Sequence, residues 1–332
     1  MNLIHVSCDW ETFYSGYSNV KYNEIKNENP KNILITNGSS YYFLECYFRD
    51  ITTDSALKFT ANTAQTLSLI EKSIFYNCSS KSDGGSIYYN NGEMVVNKGC
   101  FFHSISGGRG QVMRSYVSSL ENKKNYLIMT SFNYCGKSDK NYPIDNYYGQ
   151  SDTENGNFTN NCAIQNAGVN IENLHSSCTL KYSSFYNCSQ STSKQACMIH
   201  YCYWNTQILL NISYCNIIRN GNNNYQKIKY QGIFDLNKMK TEVYKCIIKE
   251  NYILSLVYLH DCSVVVKSSF CDNERKAGSG SLTFVDKQSQ GNDLKLLRIF
   301  NEKCKFYIEI SEIYNNCSFH FNICFLMLPE II

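Results

Sequence analysis

The stretch Ser73-Ile74-Phe75-Tyr76-Asn77-Cys78, followed by Gly84-Gly85-Ser86-Ile87-Tyr88-Tyr89, decides how the chain is read. A short β-prone run reaches a bend and a small polar loop, and a Gly-Gly pair then leads into a second run. Aligned on the central apolar residue, Phe48, Phe75 and Phe102 follow at steps of 27, and Phe132 comes 30 later. Phe185 repeats the Phe-Tyr-Asn-Cys of the first unit, and looser copies centre on Phe158, Ile217, Ile248, Phe270 and Ile313. A second apolar position lies 12 residues after the first, from Phe75 to Ile87, Phe132 to Ile144 and Phe270 to Leu282. Fixed spacing between anchors with variable length elsewhere is what a stacked repeat shows, because insertions loop out while the repeat stays in register.

Strand chemistry selects the kind of repeat. The units are rich in Tyr, Phe, Ile, Val and Thr and bounded by Asn, Gly, Ser and Asp, and none carries a helical apolar stripe capped at both ends. The expectation is an all-β chain, a parallel β-helix in the form of a single solenoid of about ten coils. Residues 1–30 break the repeat and are expected to cap the first coil, and 31–332 to form the β-helix. Two residues before the anchor stands a column of small residues, including Cys46, Ser73, Cys100, Thr130, Ser183, Cys215, Cys246 and Ser268, as a tight inward bend requires. A column at Asn77, Asn187, Asn273 and Asn316, with Asp50 in the same place, fits a bend in the left-handed region, with amides bonding from coil to coil.

Phe-Tyr-Asn-Cys paired with Gly-Gly-Ser-Ile resembles the FxxN and GGxI repeat of the polymorphic-outer-membrane-protein-like β-helices, found in chlamydial adhesins and in surface proteins of parasitic protozoa. The resemblance runs from Phe43 to Leu282 as a periodic pattern, and only residues 73–89 carry both motifs cleanly. It implies a right-handed parallel β-helix, display at the cell surface or outside the cell, and adhesion to a host or cell-surface glycan or protein.

A hydrophobic fraction of 43% is enough for a continuous narrow core, and a formal net charge of +3 favours no polyanionic partner. Nucleic-acid binding would need a basic stripe interleaved with aromatic residues, and Lys123-Lys124 alone is not one. The first residues lack the basic start and unbroken apolar core of a secretory signal, Asp9 and Glu11 interrupting. Residues 319–332 are apolar but too short to span a bilayer. Residues 137–157 and 221–229 are polar enough to read as projecting loops. The 17 cysteines fall into two columns that seldom offer a partner, so most are read as buried thiols, with Cys197 and Cys202 a candidate pair.

No catalytic residue, metal ligand or cofactor is assigned from the sequence. The anchors Phe48, Phe75, Phe102, Phe132, Phe185, Phe270, Asn77, Asn187, Gly84, Gly85 and Ile87 are structural, and Asn37 and Asn157 are candidate glycan acceptors. Asp83 and Asp139 read as solvated turn residues. Recurring Tyr41-Tyr42, Tyr88-Tyr89 and Tyr147-Tyr148 would point one ring outward from each strand, where it could meet a sugar or protein. The expected function is a non-catalytic binding scaffold. The alternatives are a polysaccharide lyase-like or hydrolase-like enzyme, degenerate or intact, and a fragment of a longer membrane-anchored surface protein.

Overall fold

The computed structural model describes residues 10–17, 20–26, 29–60, 63–120, 123–174, 178–190, 197–202, 208–221 and 232–295. Almost all of it is parallel β-structure, and each strand pairs with the strands one repeat before and after it. Three stacks result. Stack A runs through Ile33–Ile35, Leu57–Phe59, Ile87–Asn90, Met113–Tyr116, Ile144–Tyr147, Val169–Glu172 and onward to Ser255–Lys267. Stack B runs through Tyr22–Lys26, Ser40–Leu44, Leu67–Glu71, Glu93–Asn97, Lys124–Ile128, Gln150–Glu154, Cys178–Lys181 and onward. Stack C holds the short strands from Tyr47–Arg49 to Phe270–Cys271.

Inward residues of all three stacks share one apolar core. Its spine is a column of parallel rings, Phe48, Phe75, Phe101, Phe132, Phe158 and Phe185, with successive centroids 4.4 to 5.1 Å apart and planes within 9°. Ile217, Ile248 and Cys271 continue it. Each fully buried ring contributes about 1.5–3 kcal/mol by removal from water.

This spine corrects two of the anchors. Phe101, not Phe102, pairs with Phe75, and Phe102 pairs with Tyr76 on the outer side. Cys271, not Phe270, follows Ile248. In both places the sequence offers two adjacent bulky or soft residues, and pleat alternation buries only one. Leu282 likewise pairs with Val264 in stack B, so it does not share the column of Ile87 and Ile144. With the register corrected, the small column is Cys46, Ser73, Gly99, Thr130, Gly156, Ser183, Cys215, Cys246 and Ser269. Its serine hydroxyls accept from the backbone N–H of the preceding repeat: Cys46 N to Ser73 Oγ at 3.2 Å, Gly156 N to Ser183 Oγ at 3.0 Å, and Cys246 N to Ser269 Oγ at 3.0 Å.

Corners separate the stacks, and they use the left-handed region far more widely than an asparagine bend implies. Before the anchor, Glu45, Lys72, Lys98, Met129, Asn155, Tyr182, Tyr214, Lys245 and Ser268 all have φ between 48° and 57°. After it, Asp50, Asn77, His103, Tyr134, Asn160, Asn187, Arg219 and Glu250 have φ between 50° and 58°. Such a conformation costs a non-glycine residue about 1–3 kcal/mol. The offset is visible: each corner N–H still donates to the next repeat, as in Lys72 N to Asn97 O at 2.9 Å and Asn77 N to Phe102 O at 2.9 Å. The hydrogen-bond ladder therefore passes through the bends unbroken.

Asn77 and Asn187 sit at these corners as expected, donating to Asp50 Oδ1 at 2.6 Å and Asn160 Oδ1 at 2.7 Å, but both are exposed. The inward amides stand one residue further on, in a row shared with Cys135 and Cys188. Asn161, Asn220 and Asn251 point inward; Asn220 accepts from Cys188 N at 2.9 Å and donates to Phe185 O at 2.9 Å. Asn273 lies outside the left-handed set and donates to Ile253 O at 3.0 Å. Gly84 and Gly85 are required by the backbone. Gly84 has φ of 63°, and a Cβ on Gly85 would meet Ile105 O at 2.2 Å and Gln111 O at 2.4 Å.

Of the described part of the N-terminal segment, Tyr22–Lys26 is the first strand of stack B, while the helix before it lies against the side of that stack. The helix Trp10–Tyr14 packs on the outer face of stack B, where Trp10 and Tyr14 join Tyr42, Leu67, Leu69 and Val95. Tyr14 OH donates to Ser68 O at 3.0 Å, and Lys124 Nζ donates to Phe13 O. Outward apolar residues in three successive repeats gave this helix its seat. Residues 144–147 and 150–154 are strands, not part of a projecting loop. Ile313, Asn316 and residues 319–332 lie outside the described residues, as does most of 221–229. Among the described residues, no helix is long and apolar enough to cross a membrane.

Candidate functional site

The loops that carry the chain from stack C to stack A are of equal length in three consecutive repeats, at residues 77–86, 103–112 and 134–143, and they stack in register. Gly107 N donates to Ser80 O at 2.8 Å, Gly85 N to Gln111 O at 3.0 Å, and Gln111 N to Tyr142 O at 2.7 Å. Between them lies a cleft of about 450 Å³ lined by Asp83, Gly107, Gly108, Arg109, Arg114, Asp139, Lys140 and Asn141.

Arg114 is its centre. The side chain rises from a stack A strand, forms an ion pair with Asp83 and donates to Tyr116 OH. Its Nε lies 3.6 Å from Asp145 Oδ2, and neither of those two atoms has a hydrogen-bond partner. Asp83 also accepts from Arg109 N at 2.8 Å, while Arg109 Nη1 donates to Tyr147 OH at 2.6 Å. Tyr116 and Tyr147 stack at 4.4 Å. Behind this group, Asn170 Nδ2 donates to both Asp145 Oδ1 at 2.7 Å and Glu172 Oε1 at 3.0 Å, and Asn170 Oδ1 is 2.6 Å from His200 Nδ1. Further along, Asp235 Oδ1 is 3.3 Å from His260 Nε2. The outer face of stack A thus carries a polar ladder through consecutive repeats.

Burial, partly offset by the hydrogen bond from Asn170, pushes the Asp145 carboxyl from 3.8 up to about 7. The unfolded chain releases this proton near the ordinary value, the folded chain only near 7. Between those values the folded state holds more protons, so stability falls as pH rises through the window. Asp145→Asn is expected to remove that decline, read as denaturant midpoints at pH 4 and pH 7 for the two proteins. A hydrogen bond to Asp235 raises His260 as well, against opposing burial, and adds a smaller loss of stability on the alkaline side of its ordinary value.

The sequence reading placed Asp83 and Asp139 in solvated turns; they line the cleft. It missed Arg109, Arg114, Asp145 and Asn170. The last three follow Met113, Ile144 and Val169 directly, one position after a shared anchor column, and that offset was the available signal. Of the tyrosine pairs, Tyr89 points inward and donates to Glu93 O at 2.7 Å, while Tyr88 is half-buried on the outside. Lys123 pairs with Glu93 at 2.9 Å. Asn37 is exposed, but Asn157 is buried in a stack C strand and accepts from Thr159 Oγ1 at 3.0 Å, so its amide is not presented as an acceptor for a glycan.

Ten of the eleven cysteines found free among the described residues are buried. Burial pushes the thiols of Cys78, Cys135, Cys178 and Cys188 up to about 12, which keeps them unreactive. Cys100 is disulfide-bonded. Cys197 and Cys202 do not pair: Cys202 is free, and five residues of extended strand hold the two Cα atoms about 16 Å apart. Among the described residues no group of three or more His, Cys, Asp or Glu is placed to hold a metal ion.

Neither a family model, nor a curated protein, nor a solved structure matches this chain.

Proposed function

We propose that the three stacks wind into a closed, right-handed parallel β-helix. We further propose that the chain is a surface-displayed or secreted binding scaffold of the polymorphic-outer-membrane-protein-like group, with a carbohydrate ligand in the cleft around Arg114. Right-handed winding is the strong default for parallel strands joined by crossovers. The observation that carries the ligand is the chemistry of the lining. Donors (Arg109, Arg114, Lys140) and acceptors (Asp83, Asp139) line one opening of about 450 Å³, with Asn141 supplying both. A sugar hydroxyl is donor and acceptor at once and is satisfied by such a mixture. A phosphate would call for donors alone, and an apolar ligand for an apolar wall.

One observation favours a catalytic reading instead. Asp145 and Glu172 share the Asn170 amide, which brings them near the separation of a retaining glycosidase pair. Asp145 is, however, fully buried, so no glycosidic oxygen reaches it in this arrangement, and the scaffold reading is the better supported. A glycan array read for binding, followed by chromatography for cleavage products, separates the two. The expected result is binding without turnover, lost in Arg114→Ala and retained in Lys238→Ala, a corner residue in a later repeat. Release of shorter sugars would overturn the scaffold reading, and absence of any bound glycan would overturn the ligand.

A further inference from the structure

We infer that the ligand is an extended oligosaccharide, which runs from the cleft to an aromatic platform at the corner after stack C. The inference rests on the cleft being a carbohydrate site. The platform consists of Tyr76, Phe102, His103 and Tyr134. Tyr76 and Phe102 are stacked at 5.8 Å, Phe102 and His103 lie 4.3 Å apart, and Tyr134 meets Phe102 edge-on at 5.8 Å. Tyr134 is 52% exposed, high for a ring of its size.

Its position argues for a role. The corner row reads Asp50, Asn77, His103, Tyr134, Asn160, Asn187, all with φ near 50°. Backbone preference at such a site selects Asn and Asp; four of these six comply, and Arg219 and Glu250, which continue the row, depart from it as an ion pair. The two ring-bearing exceptions stand in the repeats whose loops, at 107–109 and 139–141, line the cleft. Among the described residues of this row, rings occur only in these two repeats of the candidate site, which is what a functional demand produces. Between platform and cleft the loops pass through the short paired strands Ser79–Ser80 and Ile105–Ser106, where Ser80 and Ser106 are buried, and through Gly136, with Lys81 and Lys137 exposed beside them. From His103 to Gly107 the extended chain covers about 13 Å, beyond the reach of a single sugar ring. Aromatic faces suit the apolar C–H face of a pyranose, while its hydroxyls are met in the cleft.

The test compares short and long members of one series, using cellobiose with cellohexaose, maltose with maltohexaose, and chitobiose with chitohexaose, by isothermal titration calorimetry. For the series that binds, the hexasaccharide should be tighter than the disaccharide. The double variant Phe102→Ala/Tyr134→Ala should weaken the hexasaccharide about tenfold, the weight of one or two aromatic contacts, and leave the disaccharide unchanged. A hexasaccharide no tighter than its disaccharide, or a variant that weakens both equally, overturns the platform. Failure of every probe with the unaltered protein, against Arg114→Ala as control, counts instead against the cleft. A cooperative thermal unfolding of the double variant lowered by only a few degrees, expected because both rings lie outside the core, separates loss of binding from loss of fold.

Discussion

Phe101→Ala is expected to lower the stability of the chain by about 3–5 kcal/mol, whereas Phe102→Ala should lower it by about 1 kcal/mol or less. The two residues are neighbours of identical chemistry, so the difference reports register alone. Phe101 is 1% exposed and lies between Phe75 and Phe132 at 4.8 and 4.7 Å. Its removal leaves a void that neighbouring rings cannot fill without breaking their own stack. Phe102 contacts Tyr76 and Tyr134 on the outside and is partly in water already. Guanidinium denaturation of the two variants measures the contrast directly. Equal losses, or a larger loss from Phe102, would place the sequence one residue out of register through this repeat.

The second large effect is expected at Asn220. Its buried side chain accepts from Cys188 N, donates to Phe185 O, and meets Asn251 Oδ1 at 3.0 Å. Asn220→Leu is close in size but removes every one of these bonds. Two buried backbone groups, Cys188 N–H and Phe185 O, then lose a partner, at about 1–3 kcal/mol each, while Asn251 Oδ1 keeps the backbone N–H of residue 220. A total loss of about 3–5 kcal/mol follows, close to that of a core phenylalanine. Asn187→Leu, at an exposed corner with one amide bond to Asn160, should cost about 1 kcal/mol. Comparison of the two midpoints decides whether the inner asparagine row or the outer one holds the repeats together.

Much of the architecture could be read from residue order because stacking forces like onto like. Phe48, Phe75 and Phe132 found their places from spacing alone, and so did the small residues ahead of them. The register errors have a single origin. Where two adjacent residues were equally suited to burial, as at Phe101-Phe102 and Phe270-Cys271, period counting could not choose between the two faces of the pleat. The corners after Lys72, Met129 and Tyr182 escaped notice because these residue types do not advertise a positive φ; the ladder of the neighbouring repeats imposes it. The cleft was less legible still. Arg109, Arg114, Asp145 and Asn170 belong to three repeats and to two kinds of element, so no local motif joins them. Only a register accurate to one residue brings Arg114 beside Asp83 and Asp145.

The N-terminal helix gives the same lesson in reverse. Trp10 and Tyr14 look like a cover for an open end when only their break with the repeat is considered. Their seat was present in the sequence at Tyr42, Leu67, Leu69 and Val95, apolar residues at outward positions of stack B. An outward apolar row calls for a covering partner, and the chain supplies its own.

The measurement that bears most directly on this account is a crystallographic determination of the positions of Phe48, Phe75, Phe101, Phe132, Phe158 and Phe185. The stacked parallel register requires these six Cα atoms to climb one axis in sequence order at the inter-strand rise of about 4.8 Å, with their rings face to face. Density that sets any of them out of that order, or that pairs the strand around Phe75 with one from a distant repeat, would contradict it.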